Sequence, residues 1–588
     1  MILASPQGGR SKSPTLLKAE SGLRKGKTYL LVLATVAGVG GGLGAVIFRL
    51  MINGVQTLFF SDLLPSVTFF AWKLNLGIIL LPVIGAVIIA PVVYHLAPET
   101  RGTGIPEILD AYTEKHGRIR TRVAVLKIVV SAITIGSGGS AGREGPITQI
   151  GGATGSAMGR LLRLNEDQVK LLLVSGVAAG IAGTFNAPLG GALFSIEVLQ
   201  RGFSWRGTPA IIIASVVGAA VASLAFGVQP VLSAPTFGVL SAVQLAPYAV
   251  LGLVLGLLSY LWVKVFYSFQ DVFNRLSLPG TLKLVIGGTS VGIIGMLLPS
   301  YGILGVGYQG IDLILAGGVT LGLALALGVA KVLATSLTIG SGGSGGVFAP
   351  TLYAGAMFGG AIGQVFVKLS PGIATQSFGY SLSGMAALIA GSARAPLTSI
   401  VIVPEMTGDW NILPALMMSC IISYYVSSYL LNRSSIYTLK LEKRGIDVKR
   451  LSVQDYLDLV SVGEVMERLA PVFDDTTVAT LVGRKEEFGY PRLAVVHSDH
   501  TIVGYVKLSE AEAVPPERRE KTLVAAIANP DAPVVLAEES VREALKRMEE
   551  GGLSELFVVD SAVTRRYVGM FGADSLVKAR DLGIERSE

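Results

Sequence analysis

Long apolar runs separated by short glycine-rich breaks fill the chain up to about residue 432, after which a charged pattern of short strands and amphipathic helices takes over. Residues 28–48, "TYLLVLATVAGVGGGLGAVIF", carry no charge and are long enough to cross a bilayer as a helix. Residues 208–263 contain no Asp, Glu, Lys or Arg, and further spans follow. The pattern predicts an all-α polytopic membrane domain joined to a soluble α/β tail. In the tail, "PRLAVVHSDHTIVGYVKL" (491–508) and "ELFVVDSAVTRRYVGMFG" (555–572) each read as strand, polar turn and strand. The helical stretches "TTVATLVGRKEE" and "SVREALKRMEE" precede them, so the tail is a tandem repeat of one small unit.

The membrane region repeats as well. "KIVVSAITIGSGGSAGREGP" begins at Lys127, and "KVLATSLTIGSGGSGGVFAP" begins 204 positions later at Lys331. A second pair, "SGVAAGIAGTFNAPLGGALFSIE" from Ser175 and "SGMAALIAGSARAPLTSIVIVPE" from Ser383, is 208 positions apart. Repeats of this size, about 28–225 and 240–432, mark transport folds whose sites form where the halves meet. The repeat by itself leaves the halves parallel or inverted; inversion is favoured, because an odd number of crossings per half gives it while leaving both ends on one side.

Composition agrees: 51% of the 588 residues are hydrophobic and 15% are charged, with a net charge of +7. Much of that charge flanks the membrane region, at Arg24, Lys25 and Lys27 and at Lys440, Lys443, Arg444, Lys449 and Arg450. The positive-inside tendency then puts both termini in the cytoplasm, with 1–27 as a basic leading segment, and no nucleic-acid partner is needed. Lone Cys420 excludes an intrachain disulfide, and His95, His116, His497 and His500 are too scattered for a metal site. Nothing suggests chemistry on a covalent bond, so the chain does not read as an enzyme.

Candidate chemistry lies in the breaks "RGTGIPE" (101–107), "GSGGSAGREGP" (136–146) and "GSGGSGGVFAP" (340–350). Irregular backbone inside a membrane survives only when buried in protein or lining a wet cavity. The proline in each break suits the first turn of the next helix, leaving free N–H groups and a positive dipole end toward the cavity. Such an arrangement binds anions, and without full positive charges it lets them go. Isolated Gly155 and Gly159 read instead as helix-packing positions. An intramembrane carboxylate marks an ion or proton path, and Glu144 at such a junction is itself an anion that can occupy and block the site. Arg143 is expected to pair with another group or with carbonyls, and Glu197 and Glu405 to cap or pair near helix ends.

These stretches resemble the CLC family of chloride channels and chloride/proton exchangers over residues 28–440. "GTGIP" (Gly102, Thr103, Gly104, Ile105, Pro106) is similar to the family's first selectivity stretch. "GREGP" (Gly142, Arg143, Glu144, Gly145, Pro146) is similar to its gating-glutamate stretch, and "GVFAP" (Gly346, Val347, Phe348, Pro350) to its second selectivity stretch. The tail resembles a pair of CBS modules, about 460–512 and 521–582. The resemblance implies an inverted-repeat membrane domain at 28–440 and a cytoplasmic tail at 441–588. It also implies a homodimer with one pore per subunit, in contact with membrane lipid and set in the plasma (inner) membrane of a prokaryote. Glu144 becomes the gate, and chloride meets the Thr103 hydroxyl, Gly145, the N–H groups of Val347 and Phe348, and the Tyr437 phenol.

Two positions depart from the family pattern. Thr103 stands where serine is commonest, and Val198 stands where exchangers commonly carry a second, inner glutamate. Valine cannot carry a proton, so the expectation placed first is a passive chloride channel gated by Glu144, with a chloride/proton exchanger as the alternative. A third reading makes the tail a nucleotide sensor. Asp574 is one residue off the spacing with which such modules hold a ribose, so ATP or AMP there is the weakest of these expectations.

Overall fold

A computed structural model describes residues 14–66, 70–71, 74–202, 207–238, 241–374, 376–446, 457, 460–488 and 490–585. Residues 1–13 of the basic leading segment, and Lys449 and Arg450 of the second basic cluster, lie outside the described residues. The chain forms two compact units, 1–448 and 449–588.

Among the described residues, the main α-helices of unit 1, those of seven residues or more, form two runs of eight. The first comprises α1 (Pro14–Gln56), α2 (Gly77–Pro91), α3 (Ile105–Thr113), α4 (Thr121–Gly136), α5 (Glu144–Leu161), α6 (Glu166–Phe185), α7 (Pro188–Phe194) and α8 (Thr208–Phe226). The second comprises α9 (Leu245–Arg275), α10 (Gly280–Leu297), α11 (Tyr308–Leu315), α12 (Leu321–Gly340), α13 (Phe348–Leu369), α14 (Ser377–Ala393), α15 (Pro396–Thr407) and α16 (Leu413–Leu430). A short α17 (Leu439–Glu442) closes the unit. Each helix of the first run has its mate eight places later. Among the described residues, nine helices are long and apolar enough to cross a membrane.

Glycine sets the tightest helix contacts. A Cβ on Gly155 of α5 would overlap the Leu172 carbonyl of α6, and one on Gly355 of α13 would overlap the Gly384 carbonyl of α14. Small residues are what let membrane helices approach this closely. The halves meet about a pseudo-two-fold axis through Gly142 and Gly346, which exchange backbone hydrogen bonds of 2.7 and 2.6 Å. Side chains repeat the symmetry. The Ser131 and Ser344 hydroxyls are 2.8 Å apart, and their repeat mates, Thr335 and Ser140, 3.1 Å. Backbone N–H groups of Ser140 and Ser344 reach the hydroxyls of Thr338 (3.0 Å) and Thr134 (3.5 Å).

Two carboxylates extend the exchange. Glu405 of α15 accepts from the N–H groups of Leu189 (2.9 Å) and Gly190 (2.7 Å) at the start of α7. Glu197, just after α7, accepts from the N–H groups of Leu397 (3.0 Å) and Thr398 (2.8 Å) and from the Thr398 hydroxyl (2.7 Å) at the start of α15. Each half thereby caps a helix of the other, with carboxylates placed where free N–H groups and the helix dipole favour negative charge.

Among the described residues, unit 2 holds two three-stranded sheets. In the first, β1 (Val472–Phe473) runs parallel to β2 (Arg492–Val496), which pairs antiparallel with β3 (Ile502–Lys507). In the second, β4 (Val534–Leu536), β5 (Leu556–Val559) and β6 (Tyr567–Phe571) repeat that order. The sheets share a core in which Val496 and Ile502 pack with Phe557 and Met570. The segments that open the two modules, expected at 460–512 and 521–582, pack across the pair. Val460, Val462 and Val465 pack into the second sheet's core with Val535 and Val541, whereas Val524 packs with Val478 and Val495 of the first.

Replacing Glu197 or Glu405 with Ala leaves helix N–H groups uncapped, at a cost of about 1–2 kcal/mol each. Both variants should unfold at lower temperature in detergent, and the Gln variants, which keep one acceptor oxygen, should recover part of the loss. Ala variants as stable as the parent would contradict the cross-capping.

Candidate functional site

Non-helical backbone runs through the middle of unit 1, and two lysines satisfy its carbonyls. Lys127, fully buried in α4, donates to the carbonyls of Thr100 (2.8 Å) and Gly102 (2.9 Å). Lys331, its repeat mate in α12 and equally buried, donates to the carbonyls of Gly302 (2.9 Å), Ile303 (3.0 Å) and Gly305 (3.0 Å). Buried carbonyls must be paired, and a cation that does so from inside the protein fixes the loop. The two clamped loops also answer one another: Gly345 N–H donates to Gly102 O and Ala141 N–H to Gly305 O, both at 3.3 Å.

The loops deliver helix N-termini to one place. Gly104 precedes α3 with φ +85°, and its Cβ would lie 2.8 Å from the Gly145 carbonyl. A Cβ on Gly145 would overlap the Thr103 carbonyl, and one on Gly346 would come within 2.6 Å of Gly145 N. Thr103, Gly145 and Gly346, from the three predicted breaks, are therefore in backbone contact. Pro106, Pro146 and Pro350 lie in the first turns of α3, α5 and α13, where the N–H that proline lacks would have had no helical partner. Ile105 opens α3 and is buried.

Glu144 is the first residue of α5 and is fully buried. Its Oε2 accepts from the Ala349 N–H of α13 at 3.2 Å, and its Oε1 accepts from the Tyr308 hydroxyl at 3.3 Å. A Cβ on Gly142 would overlap Oε2, so glycine there leaves room for the carboxylate to fold back over its own loop. Arg143 turns away, donating to the Thr184 carbonyl at 3.1 Å and lying 5.1 Å from the centre of the Tyr308 ring. Of the helix-end donors, it is Ala349 N–H, one residue beyond the expected pair, that meets the carboxylate. Among the described residues, the N–H groups of Val347 and Phe348 have no acceptor in the chain.

Tyr437 is buried just before α17, and its phenol has no hydrogen-bond partner among the described residues; the same holds for the Thr103 hydroxyl. The Tyr437 segment is held against the first break by Lys440, which pairs with Glu107 of α3 at 2.6 Å. Sequence reasoning missed the aromatic residues that join these parts. Phe194 of α7 stands 6.4 Å from Tyr437 and 6.2 Å from Phe348, and Phe185 stands 5.3 Å from Phe348, centre to centre. Tyr308 was missed too. A Gly-X-Gly pair signals it, since Gly305 and Gly307 repeat Gly102 and Gly104 with positive φ throughout.

Val198 lies beside Glu197 and is buried, outside this cluster. Asp574 is exposed in the first turn of the last helix, Ala573–Glu585, next to Ser575, whose hydroxyl accepts from Gly572 N–H at 3.2 Å. Among the described residues, no three or more His, Cys, Asp or Glu side chains gather as a metal site.

The arrangement fits a small anion: helix N-termini, free N–H groups, two hydroxyls, and one carboxylate already on a helix end. Comparison with known proteins agrees. A family described as voltage gated chloride channel matches residues 85–428, and a CBS domain matches residues 524–581. The H(+)/Cl(−) exchange transporter ClcA of Citrobacter koseri is 33% identical over 412 residues, 68% of this chain and 86% of that protein. A ClcB-like chloride channel protein of Ralstonia nicotianae is 30% identical over 72% of this chain and 99% of its own length. Among solved structures, a slow cyanobacterial Cl−/H+ antiporter matches with a TM-score of 0.65 and 25% identity, over 72% of this chain and 99% of its own.

Gly145→Ala forces a methyl group between the Thr103 and Gly346 backbones. It should lower anion uptake by reconstituted protein at least about tenfold, a barrier change of roughly 1.4 kcal/mol. Gly54→Ala, where a Cβ meets nothing within 4 Å, should leave uptake unchanged. Equal uptake by both variants would show that the three breaks do not form the path.

Proposed function

The chain belongs to the voltage gated chloride channel family, and from that premise we propose that it moves chloride across a membrane in exchange for protons, with Glu144 both blocking the anion path and carrying the proton. The observation that carries this reading is the Glu144 carboxylate on the Ala349 N–H, at the start of α13. A carboxylate and a chloride ion carry like charges and compete for one helix end. Protonation removes the carboxylate's charge and its hold on the N–H, so the side chain leaves and an anion enters. The side chain returns as a competitor only after giving the proton up. Anion and proton steps thus alternate at one side chain.

The names of the relatives support exchange over the passive channel that the sequence reading placed first: the Citrobacter protein is called an H(+)/Cl(−) exchange transporter, and the cyanobacterial protein a Cl−/H+ antiporter. The channel reading keeps one specific observation. Val198, at the position of the exchangers' inner glutamate, is buried and carries no proton, and its neighbour Glu197 is committed to capping α15. In an exchanger of this sequence the inner proton step therefore runs through water or another group. The proposal extends to a homodimer with one pore per subunit and both termini in the cytoplasm. It is supported by the origin of Thr103, Glu144, Phe348 and Tyr437 in one chain and by the basic flanks of the membrane region.

Reconstitution with simultaneous chloride and proton readouts tests the proposal. A chloride gradient should drive protons uphill in the parent protein. Glu144→Gln should keep chloride flux, lose proton movement and flatten the pH dependence. Chloride flux without proton movement in the parent would establish the channel instead.

A further inference from the structure

Tyr308 reaches the gate from the opposite half of the molecule. It opens α11, the repeat mate of α3, in a position that the selectivity motifs do not include. Glu144 is fully buried and Tyr308 half-buried, with the phenol oxygen 3.3 Å from the carboxylate. Its hydroxyl donates to Glu144 Oε1, while Ala349 N–H donates to Oε2, so the two carboxylate oxygens are held from two helices of the second half.

The tyrosine is itself fixed. Lys331 holds the carbonyls of Gly302, Ile303 and Gly305 ahead of it, Gly305 O accepts from Ala141 N–H in the gate's own loop, and the Arg143 guanidinium lies over its ring. The preceding Gly307 has φ +104° and leaves no room for a side chain, because its Cβ would come within 3.0 Å of Tyr353 and 2.9 Å of Lys331 Nζ. A donor on so constrained a support favours one place for its acceptor.

We propose that Tyr308 is a positioning residue for transport, a latch whose hydroxyl holds the charged Glu144 carboxylate in the blocking position and lets it go on protonation. The inference rests on the reading of Glu144 as gate and proton carrier. Other charged or titratable groups also face the carboxylate: Arg143 beside it, Lys331 from α12 and Tyr437 ahead of α17. Arg49 of α1 lies near Arg143 and Tyr308. Lys331 is occupied by three carbonyls, Arg143 holds the Thr184 carbonyl through one terminal nitrogen and leaves its buried Nε without a hydrogen bond among the described residues, and no bond joins Tyr437 to Glu144. The side-chain hydrogen bond to the carboxylate is that of Tyr308.

A hydroxyl donor at 3.3 Å favours the ionised carboxyl, and its loss makes protonation easier. In Tyr308→Phe, which keeps the ring under Arg143, the pH midpoint of chloride flux should move upward by about one unit, the size set by losing one hydrogen bond to a charged group. Tyr308→Met removes the same donor with different packing and should move the midpoint in the same direction. In a Glu144→Gln background neither substitution should alter the pH profile. A midpoint unchanged in both variants, or an equal shift with and without Glu144, would overturn the latch. If Glu144→Gln alone kept the parent's pH dependence, the reading of Glu144 would fail, a result distinct from failure of the latch.

Discussion

Everything at the centre of the membrane unit depends on a backbone pair, Gly142 with Gly346, exchanging two hydrogen bonds on the pseudo-two-fold axis. Helices that stop inside a membrane leave N–H and C=O groups that lipid cannot satisfy. Here the breaks satisfy one another, and the lysines of α4 and α12 take up the carbonyls left over. What remains is a small set of N–H groups at helix starts, all directed at one region. The economy of the site follows from that arrangement: anions meet partial charges instead of free cations, so binding need not prevent release.

The halves have diverged around that shared scaffold. The first half contributes Glu144 at the start of α5, and the second contributes the unsubstituted helix start at α13 that the carboxylate occupies. A similar division appears at α7 and α15, but there both halves keep a carboxylate and each caps the other's helix. The same physics, a carboxylate on helix N–H groups, gives a fixed joint in one place and, in the proposed function, a movable blocker in the other. The difference lies in the surroundings. Glu197 also holds the Thr398 hydroxyl beside two adjacent N–H groups of one helix turn, whereas Glu144 spans two separate helices.

Much of this was legible in the sequence. The offset of 204 between the glycine-rich breaks, and of 208 between the later pair, identified the repeat and thereby the three loops that meet. Periodicity and turn residues identified the two hairpins of the tail. Other features had little or no local signal. Lys127 and Lys331 opened the repeated stretches, but their partners are carbonyls, which look alike in every sequence. Tyr308 sits after a Gly-X-Gly pair whose likeness to Gly102 and Gly104 is two residues long, too short to stand out without the fold. The segments at 460–465 and at Val524 each pack into the other sheet's core, which is a tertiary choice. Val198 weighs toward the channel, whereas the names of the relatives support the exchanger, the alternative in the sequence reading.

The central claim is that the Glu144 carboxylate and the transported anion compete for the same helix start, so that anion binding must be linked to proton uptake. Titration calorimetry of chloride into the purified protein, repeated in buffers of different ionisation enthalpy, measures that uptake directly. The account predicts protons taken up as chloride binds to the parent protein, and none in Glu144→Gln. Chloride binding to the parent with no proton uptake across the pH range would contradict it.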